Sequence, residues 1–304
     1  MTTPKQTNAL PRVLSIAGTD PSGGAGMQAD LKSISAQGGY AMGVVTALVA
    51  QNTRGVRDVF VPPVSFLREQ LDSVRDDVQI DAIKIGMLAD AEIVHTVGTW
   101  LREPAPGDRP PLVLDPVMVA TSGDRLLEPD AERALIDLLP VADLITPNIP
   151  ELAVLAGAEP AADTAGAIEQ AHRVSTESGV IVLVKGGHLT GPVLTNALVG
   201  SDWEWSVDVA RIDTPNTHGT GCSISSALAT LYARTGDWKK SLQTASEWLE
   251  DSLRAADDLH VGQGHGPINH FHNLWAAAGR YPERQPRVPS APGTADRAPT
   301  SSPA

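Results

Sequence analysis

One seven-residue stretch combines the ingredients of anion chemistry: Asn216-Thr217-His218-Gly219-Thr220-Gly221-Cys222, with an apolar helical run over 223–233 directly behind it. Glycines and small residues let the backbone turn sharply enough for several N–H groups to face one concavity. A helix that follows adds the positive end of its dipole to the same spot. Such a concavity suits the charge of a phosphoryl group in transfer. Cys222 is the only cysteine in 304 residues, and a thiol at a helix N-terminus is expected to ionise more readily than a free one. The plainer reading of the same residues is a helix started by glycine, with Cys222 as a small buried filler.

Six other segments put polar or glycine-rich groups just after apolar runs. Gly18 to Gly26 reads GTDPSGGAG and separates a short apolar run from a helical pattern. It lacks the Gly-Lys-Ser/Thr of a nucleotide-binding P-loop, and Asp20-Pro21 interrupts any dinucleotide fingerprint. A tight turn explains it equally well. Asp30, in the helical pattern that follows, faces either the pocket or solvent. Gln51-Asn52-Thr53 closes a second apolar run, where an amide can donate and accept at once and so complement an aminopyrimidine edge; a turn after a strand is the reading these residues alone favour. Met87, in Lys84-Ile85-Gly86-Met87-Leu88, can lie against a flat ring. Asp115 follows a third run. Asn148 and Glu151 form an Asn-x-x-Glu pattern that can hold magnesium through its waters; the same spacing is also a helix cap, and capping is the reading it favours. Lys185, before Gly186-Gly187-His188, is placed to steady phosphate oxygens, or is a turn lysine.

These groups need a frame that gathers them. Near-continuous apolar runs at 13–17, 44–49, 82–85, 112–114, 144–146 and 180–184 read as parallel strands covered on both faces. Helical spacing occupies 25–37, 64–76, 91–102, 131–139, 149–156 and 165–178, and recurs at Leu242, Ala245, Leu249 and Leu253. Alternation of the two predicts a doubly wound, mostly parallel α/β sheet flanked by helices. Trp205-Ser206-Val207-Asp208-Val209 alternates apolar with polar and predicts an edge hairpin with 193–199, turning at 200–202. The polar groups then recur at strand carboxyl ends, where open α/β sheets bind ligands.

Composition sets the limits. At 31.9 kDa, with 42% hydrophobic residues and a mean hydropathy of −0.08, the chain is an ordinary globular sequence. A net charge of −13 argues against nucleic-acid or anionic-membrane partners. No apolar run is long enough to cross a membrane or lead an export signal, so a cytoplasmic protein is expected. One cysteine allows no intrachain disulfide, and the histidines form no zinc pattern. Residues 1–10 and 279–304 are expected to be flexible tails, the second rich in Pro, Ser, Ala and Arg. Residues 11–278 read as one domain.

In order, GTDPSGGAGMQAD, TALVAQNT, KIGML, LDPVM, TPNIPE, VKGGH, NTHGTGC and VGQGHGPINHF resemble the hydroxymethylpyrimidine/phosphomethylpyrimidine kinases of thiamine synthesis. These belong to the ribokinase superfamily, and the resemblance spans about residues 11–278. It implies a ribokinase-like fold and ATP-dependent phosphorylation of 4-amino-5-hydroxymethyl-2-methylpyrimidine, then of its monophosphate. It implies Gln51, Met87 and Asp30 on the pyrimidine side. Asn148, Lys185, Thr217 and His218 are expected on the ATP side, with Asn148, Glu151 and Asp115 around magnesium, largely through water. Gly219, Gly221, Lys185 and Cys222 are expected to be catalytic, Cys222 standing where many ribokinase relatives carry aspartate. A homodimer is expected. Pyridoxal kinase, acting on a similar flat ring, is the nearest alternative. A catalytically silent pyrimidine-binding protein is another, although such a binder would need none of Asn148, Glu151, Lys185 and Cys222.

Overall fold

Six apolar runs become the parallel part of an eight-stranded sheet in the computed structural model, which describes residues 10–105, 107–118, 127–188 and 193–280. Nearly all of the two expected tails lies outside the described residues. The first half of the chain runs β1 (Arg12–Ala17), α1 (Gly26–Ala36), β2 (Tyr40–Val45), β3 (Leu48–Asn52), β4 (Gly55–Phe60), α2 (Val64–Asp77), β5 (Ala82–Ile85), α3 (Ala91–Arg102) and β6 (Leu112–Leu114). It continues with α4 (Pro129–Ile136), β7 (Leu144–Ile145), α5 (Ile149–Leu155), α6 (Thr164–Ser178) and β8 (Ile181–Val184). The last elements are β9 (Val193–Val199), β10 (Glu204–Ala210), α7 (Thr220–Thr235), α8 (Trp238–Arg254) and α9 (His272–Ala277).

The strand order is β10-β9-β8-β7-β6-β5-β1-β2, parallel from β8 to β2, with β9 and β10 forming the expected antiparallel hairpin at one edge. Successive residues of the central strands feed opposite cores. Leu14, Ile83, Ile85, Leu112 and Leu114 pack beneath α2 to α6. Val13, Ala82, Val113, Leu144 and Leu183 pack beneath α1, α7 and α8. Each such side chain, taken fully out of water, contributes on the order of 2 kcal/mol, which is why these runs show no polar alternation.

The order in which strands are added reverses between the parallel β1 and β5: the chain leaves β1 through α1 for β2 on one side and returns to β5 on the other. This is the switch point at which open α/β sheets form a crevice.

The run at 44–49 is not one strand. β2 ends at Val45, the chain bends at Thr46-Ala47, and β3 then pairs with β4 in a separate two-stranded hairpin. Continuing straight would leave backbone groups beyond the sheet without partners. The bend satisfies them: Thr46 N–H bonds Ala17 O at 3.1 Å and Thr19 N–H bonds Ala47 O at 2.9 Å. The pattern expected at 131–139 likewise divides, into α4 and a 3-10 turn at Leu139–Val141 around Pro140.

Candidate active site

The glycine-rich loop after β1 does not offer its N–H groups to a ligand; it wraps them around its own aspartate. Asp20 is fully buried. Its carboxylate accepts from Ser22 N–H (2.9 Å) and Oγ–H (2.7 Å), Gly24 N–H (3.2 Å), Ala25 N–H (2.8 Å) and His218 Nε2 (2.9 Å). The Gln51 side chain bonds it as well. Burial alone would raise this carboxyl, but the donors, His218 foremost, outweigh it and hold Asp20 well below the usual carboxylate range.

An ionised carboxylate only accepts, so Gln51 must present its NH₂ to Asp20 and turn its carbonyl oxygen away. That oxygen is a fixed acceptor for an amino group. The end of Met87 fills the space that a side chain at Gly18 would occupy, next to Ala47. Gly18 and Ala47 are themselves buried, so the half-buried Met87 is the member of this cluster that can meet a flat ring, and Thr46 Oγ1 donates to the Met87 carbonyl at 2.6 Å. Gln51 sits on the outlying hairpin and not, as expected, at the carboxyl edge of the central sheet. His218, expected on the nucleotide side, turns its ring to Asp20 and so belongs to this wall. Thr217 stays exposed in the loop.

Asp30 is not a pocket residue. It is fully buried and its carboxylate is occupied by Lys84 Nζ (2.8 and 2.9 Å), Ser15 Oγ (2.6 Å) and Ser226 Oγ (2.8 Å). Lys84 is the buried partner the motifs concealed. Burial pulls its ammonium down, but Asp30, Cys222 and Asp115 more than reverse this and leave it raised and charged. The signal was present in the sequence: a lysine inside Ala82-Ile83-Lys84-Ile85 needs a buried counter-charge, and Asp30 on an apolar helix face needs a buried cation.

α7 starts on Gly219, whose φ of +80° and contact with the Gly24 carbonyl leave no room for a side chain. No side chain caps α7 among the described residues; Thr220 N–H bonds Thr217 O at 3.3 Å, and the N–H groups of Gly221 and Cys222, with the dipole, leave the helix end open to the crevice. A side-chain carbon on Gly221 would stand 3.6 Å from Lys185 Nζ and 3.8 Å from Asp115 Oδ2. Lys185 is half-buried, 3.8 Å from Asp115 Oδ1, and no exposed turn lysine. Asp115 also accepts from Thr146 Oγ1 at 2.9 Å.

Cys222 corrects the expected acidic thiol. It is half-buried, and the N–H of Gly26 at the start of α1 donates to its sulfur. Desolvation pushes the thiol up to about 11; Lys84 and the Gly26 N–H oppose this, while Asp30 and Asp115 add to it. The helix dipole does not win against burial beside two carboxylates.

Asn148 and Glu151 realise the capping reading in full. Asn148 Oδ1 accepts from Glu151 N–H at 2.8 Å, and Glu151 Oε2 accepts from Asn148 N–H at 2.8 Å. Glu151 Oε1 also accepts from Met118 N–H at 3.2 Å. Burial first, then Asp115, raises the Glu151 carboxyl to about 7 against the pull of Lys185. Among the described residues no group of three or more His, Cys, Asp or Glu stands together as a direct metal cage. Asp115, with Glu151 beside it, suits a cation held through water and not by direct ligation. No helix among the described residues is long and apolar enough to cross a membrane.

Comparison with known proteins points one way. The chain is 58% identical over 264 residues to the thiamine biosynthesis multifunctional protein ThiED of Corynebacterium efficiens, a match covering 86% of this chain and 35% of that protein. It thus spans about a third of such multifunctional relatives. It is 48% identical over 272 residues to the hydroxymethylpyrimidine/phosphomethylpyrimidine kinase of Escherichia coli, covering 89% of this chain and all of that one. Among solved structures, an ADP complex of Bacillus subtilis pyridoxal kinase superposes with a TM-score of 0.77 at 29% identity, covering 88% of this chain and 99% of that chain. Phosphomethylpyrimidine kinase from Clostridium difficile gives 0.70 at 35% identity, covering 81% and 100%. The family described as phosphomethylpyrimidine kinase matches residues 20–269, the span from the Asp20 collar to the end of the loop that follows α8. The chain belongs to the phosphomethylpyrimidine kinase family.

Proposed function

We propose that this chain phosphorylates 4-amino-5-hydroxymethyl-2-methylpyrimidine with ATP, and then its monophosphate, in the crevice between the Gln51 wall and the start of α7. The observation that carries the reading is the Gln51 side chain held on Asp20, whose other partner His218 stands directly before the start of α7, where Lys185 flanks Gly221. One side suits an amino-substituted flat ring, the other a phosphoryl group. Membership of the phosphomethylpyrimidine kinase family supports it.

Phosphoryl transfer passes through a loose transition state, so alignment and charge neutralisation supply most of the rate. The N–H groups of Gly219, Gly221 and Cys222 and the Lys185 ammonium would share that neutralisation on the protein side. Asn148, Glu151 and Asp115 would hold magnesium through water, and the ion, when bound, adds positive charge against the phosphates. Cys222 rests as a neutral thiol, so only its small thiolate fraction can take the hydroxyl proton. In a loose transition state that proton leaves late, and the backbone donors then matter more than the base.

Pyridoxal kinase is the second reading, favoured by the fold likeness to pyridoxal kinases. An ATP-dependent product assay on the pyrimidine, its monophosphate and pyridoxal decides between them. Turnover of the two pyrimidines well above that of pyridoxal is expected; equal or better turnover of pyridoxal would overturn the assignment. Exposed Leu48, Val56, Val59 and Phe60 on the outlying hairpin support a homodimer. A monomer at every concentration in sedimentation equilibrium would refute that.

A further inference from the structure

The stretch Val261-Gly262-Gln263-Gly264-His265-Gly266, exposed as far as His265 and buried at Gly266, spends three glycines at alternate positions, a backbone composition that costs conformational entropy on folding. Each glycine is pressed against another part of the site. A side-chain carbon on Gly262 would overlap the Thr53 side chain, one on Gly264 the Thr53 carbonyl, and one on Gly266 the Asn216 side chain. The segment is therefore laid flat on the turn of the β3–β4 hairpin at one end and on the phosphate-side loop at the other.

Hydrogen bonds fix both ends. Gly264 N–H donates to Thr53 Oγ1 at 3.2 Å and His265 N–H to Thr53 O at 3.0 Å, while Arg54 donates to Gln263. At the far end His218 N–H donates to Gly266 O at 3.0 Å, and His218 pairs with Pro267 in a short parallel bridge. The hairpin needs such support. It is a two-stranded unit detached from the main sheet, every residue of β4 is exposed, and isolated two-stranded hairpins are marginal in water. Its base is held by Val49 N–H on Thr19 Oγ1 at 3.0 Å and its middle by Gln51 on Asp20. The tip is held by residues 261–266.

We propose that residues 261–266 form a positioning strap, with Thr53 and Gly264 as its contact, that sets the height of Gln51 over the acceptor ring and so determines acceptor affinity. The inference rests on the proposed role of Gln51. Both routes from the hairpin, through Asp20 and through the strap, end on His218, next to the start of α7. The ring-reading hairpin and the phosphoryl-handling helix are thereby referenced to one residue.

Gly264→Ala tests it, because the backbone at Gly264 lies outside the left-handed region and the methyl meets only the hairpin turn, at the Thr53 carbonyl and the Arg54 nitrogen. Hydrogen–deuterium exchange over residues 48–60 should quicken by roughly tenfold, and KM for the pyrimidine should rise by about tenfold, the scale of one or two lost hydrogen bonds. KM for ATP should stay within about twofold. Thr53→Val, which keeps size and removes the acceptor hydroxyl, should act in the same direction by roughly threefold, and it carries the test if Gly264→Ala unfolds. Unchanged exchange in both variants would overturn the strap. So would faster exchange with an unchanged acceptor KM, or a parallel rise in both KM values. A wild-type chain inactive on the pyrimidine would instead sink the proposed function, and exchange would still decide the strap.

Discussion

Replacing Cys222 separates two explanations of the reaction that the sequence cannot tell apart. A thiol pushed up to about 11 is ionised, at pH 7.5, to about three parts in ten thousand. A thiol activated by the helix terminus, titrating near about 6, would be more than nine-tenths ionised at the same pH. Alkylation by iodoacetamide, followed by mass spectrometry on the single cysteine, reads this directly. The rate should climb about tenfold per pH step from neutrality to beyond pH 10 without levelling. A plateau below pH 8 would refute the argument that burial beside Asp30 and Asp115 outweighs the dipole. In turnover, Cys222→Ala leaves the Gly219 and Gly221 backbone donors in place, so it removes only the base. With so little thiolate at rest, kcat should fall by about 10²-fold, the low end of general-base effects. Cys222→Asp should restore part of it. Near-normal turnover of the alanine variant, with ATP and magnesium saturating, would take the thiol out of the chemistry and leave the backbone concavity as the catalytic element.

Gln51→Leu strands the amino edge of the ring without its acceptor and should weaken pyrimidine binding by roughly 1–3 kcal/mol, leaving ATP affinity unchanged; a joint loss of both would make Gln51 structural only. Asp30→Asn leaves the Lys84 ammonium buried and uncompensated, which costs about 3–5 kcal/mol, so the melting temperature should drop by roughly 10 °C. Adding Lys84→Met should recover part of that drop, and a double variant as unstable as the sum of the singles would disprove the pairing. Glu151, raised to about 7 by burial, binds its proton more tightly folded than unfolded, so its ionisation destabilises the fold as pH rises from about 4.5 through 7. Glu151→Gln, which can still accept from Asn148 N–H, should therefore gain stability over wild type at pH 8 compared with pH 5. A pH-independent difference in melting temperature between the two chains would show that Glu151 titrates normally.

Where local chemistry decided the structure, the sequence could be read to the residue. The strands at 82–85 and 112–114 and the helix at 91–102 have their expected bounds, the helix because Asp90 caps it through Ile93 N–H at 2.9 Å. Lys185 and Asp115 were recognisable from their places after buried strands. What could not be read depends on partners distant in the chain. The bend at Thr46 follows from a change of pairing partner, which an apolar run does not record. Asp30 looked like a pocket or surface charge because Lys84 lies 54 residues away. Asp20 was hidden as a turn residue because its strongest side-chain donor, His218, is 198 residues on. Cys222 departs from its local signal for a similar reason: the helix behind it is local, while the carboxylates that act on it come from α1 and from the end of β6.

The Asp30–Lys84 cluster also bears on how the protein is made. Ser15, Asp30 and Lys84 emerge early, but Ser226 is 196 residues from Asp30 and arrives only with α7. Until α7 docks, the ion pair beneath the future site is open to water, and hydration stabilises it without any need for the final packing. Docking strips that water and replaces part of it with the Ser226 hydroxyl. The same event brings Cys222 under the Gly26 N–H and presents the first turn of α7 to the crevice. Closing contacts of such long range is slow, because the entropy of the intervening chain must be lost before the contacts form. A nascent or partly folded chain can thus hold most of its sheet and still have no anion-binding helix end, so recovery of activity during refolding should coincide with burial of Lys84 and not with the return of helical signal.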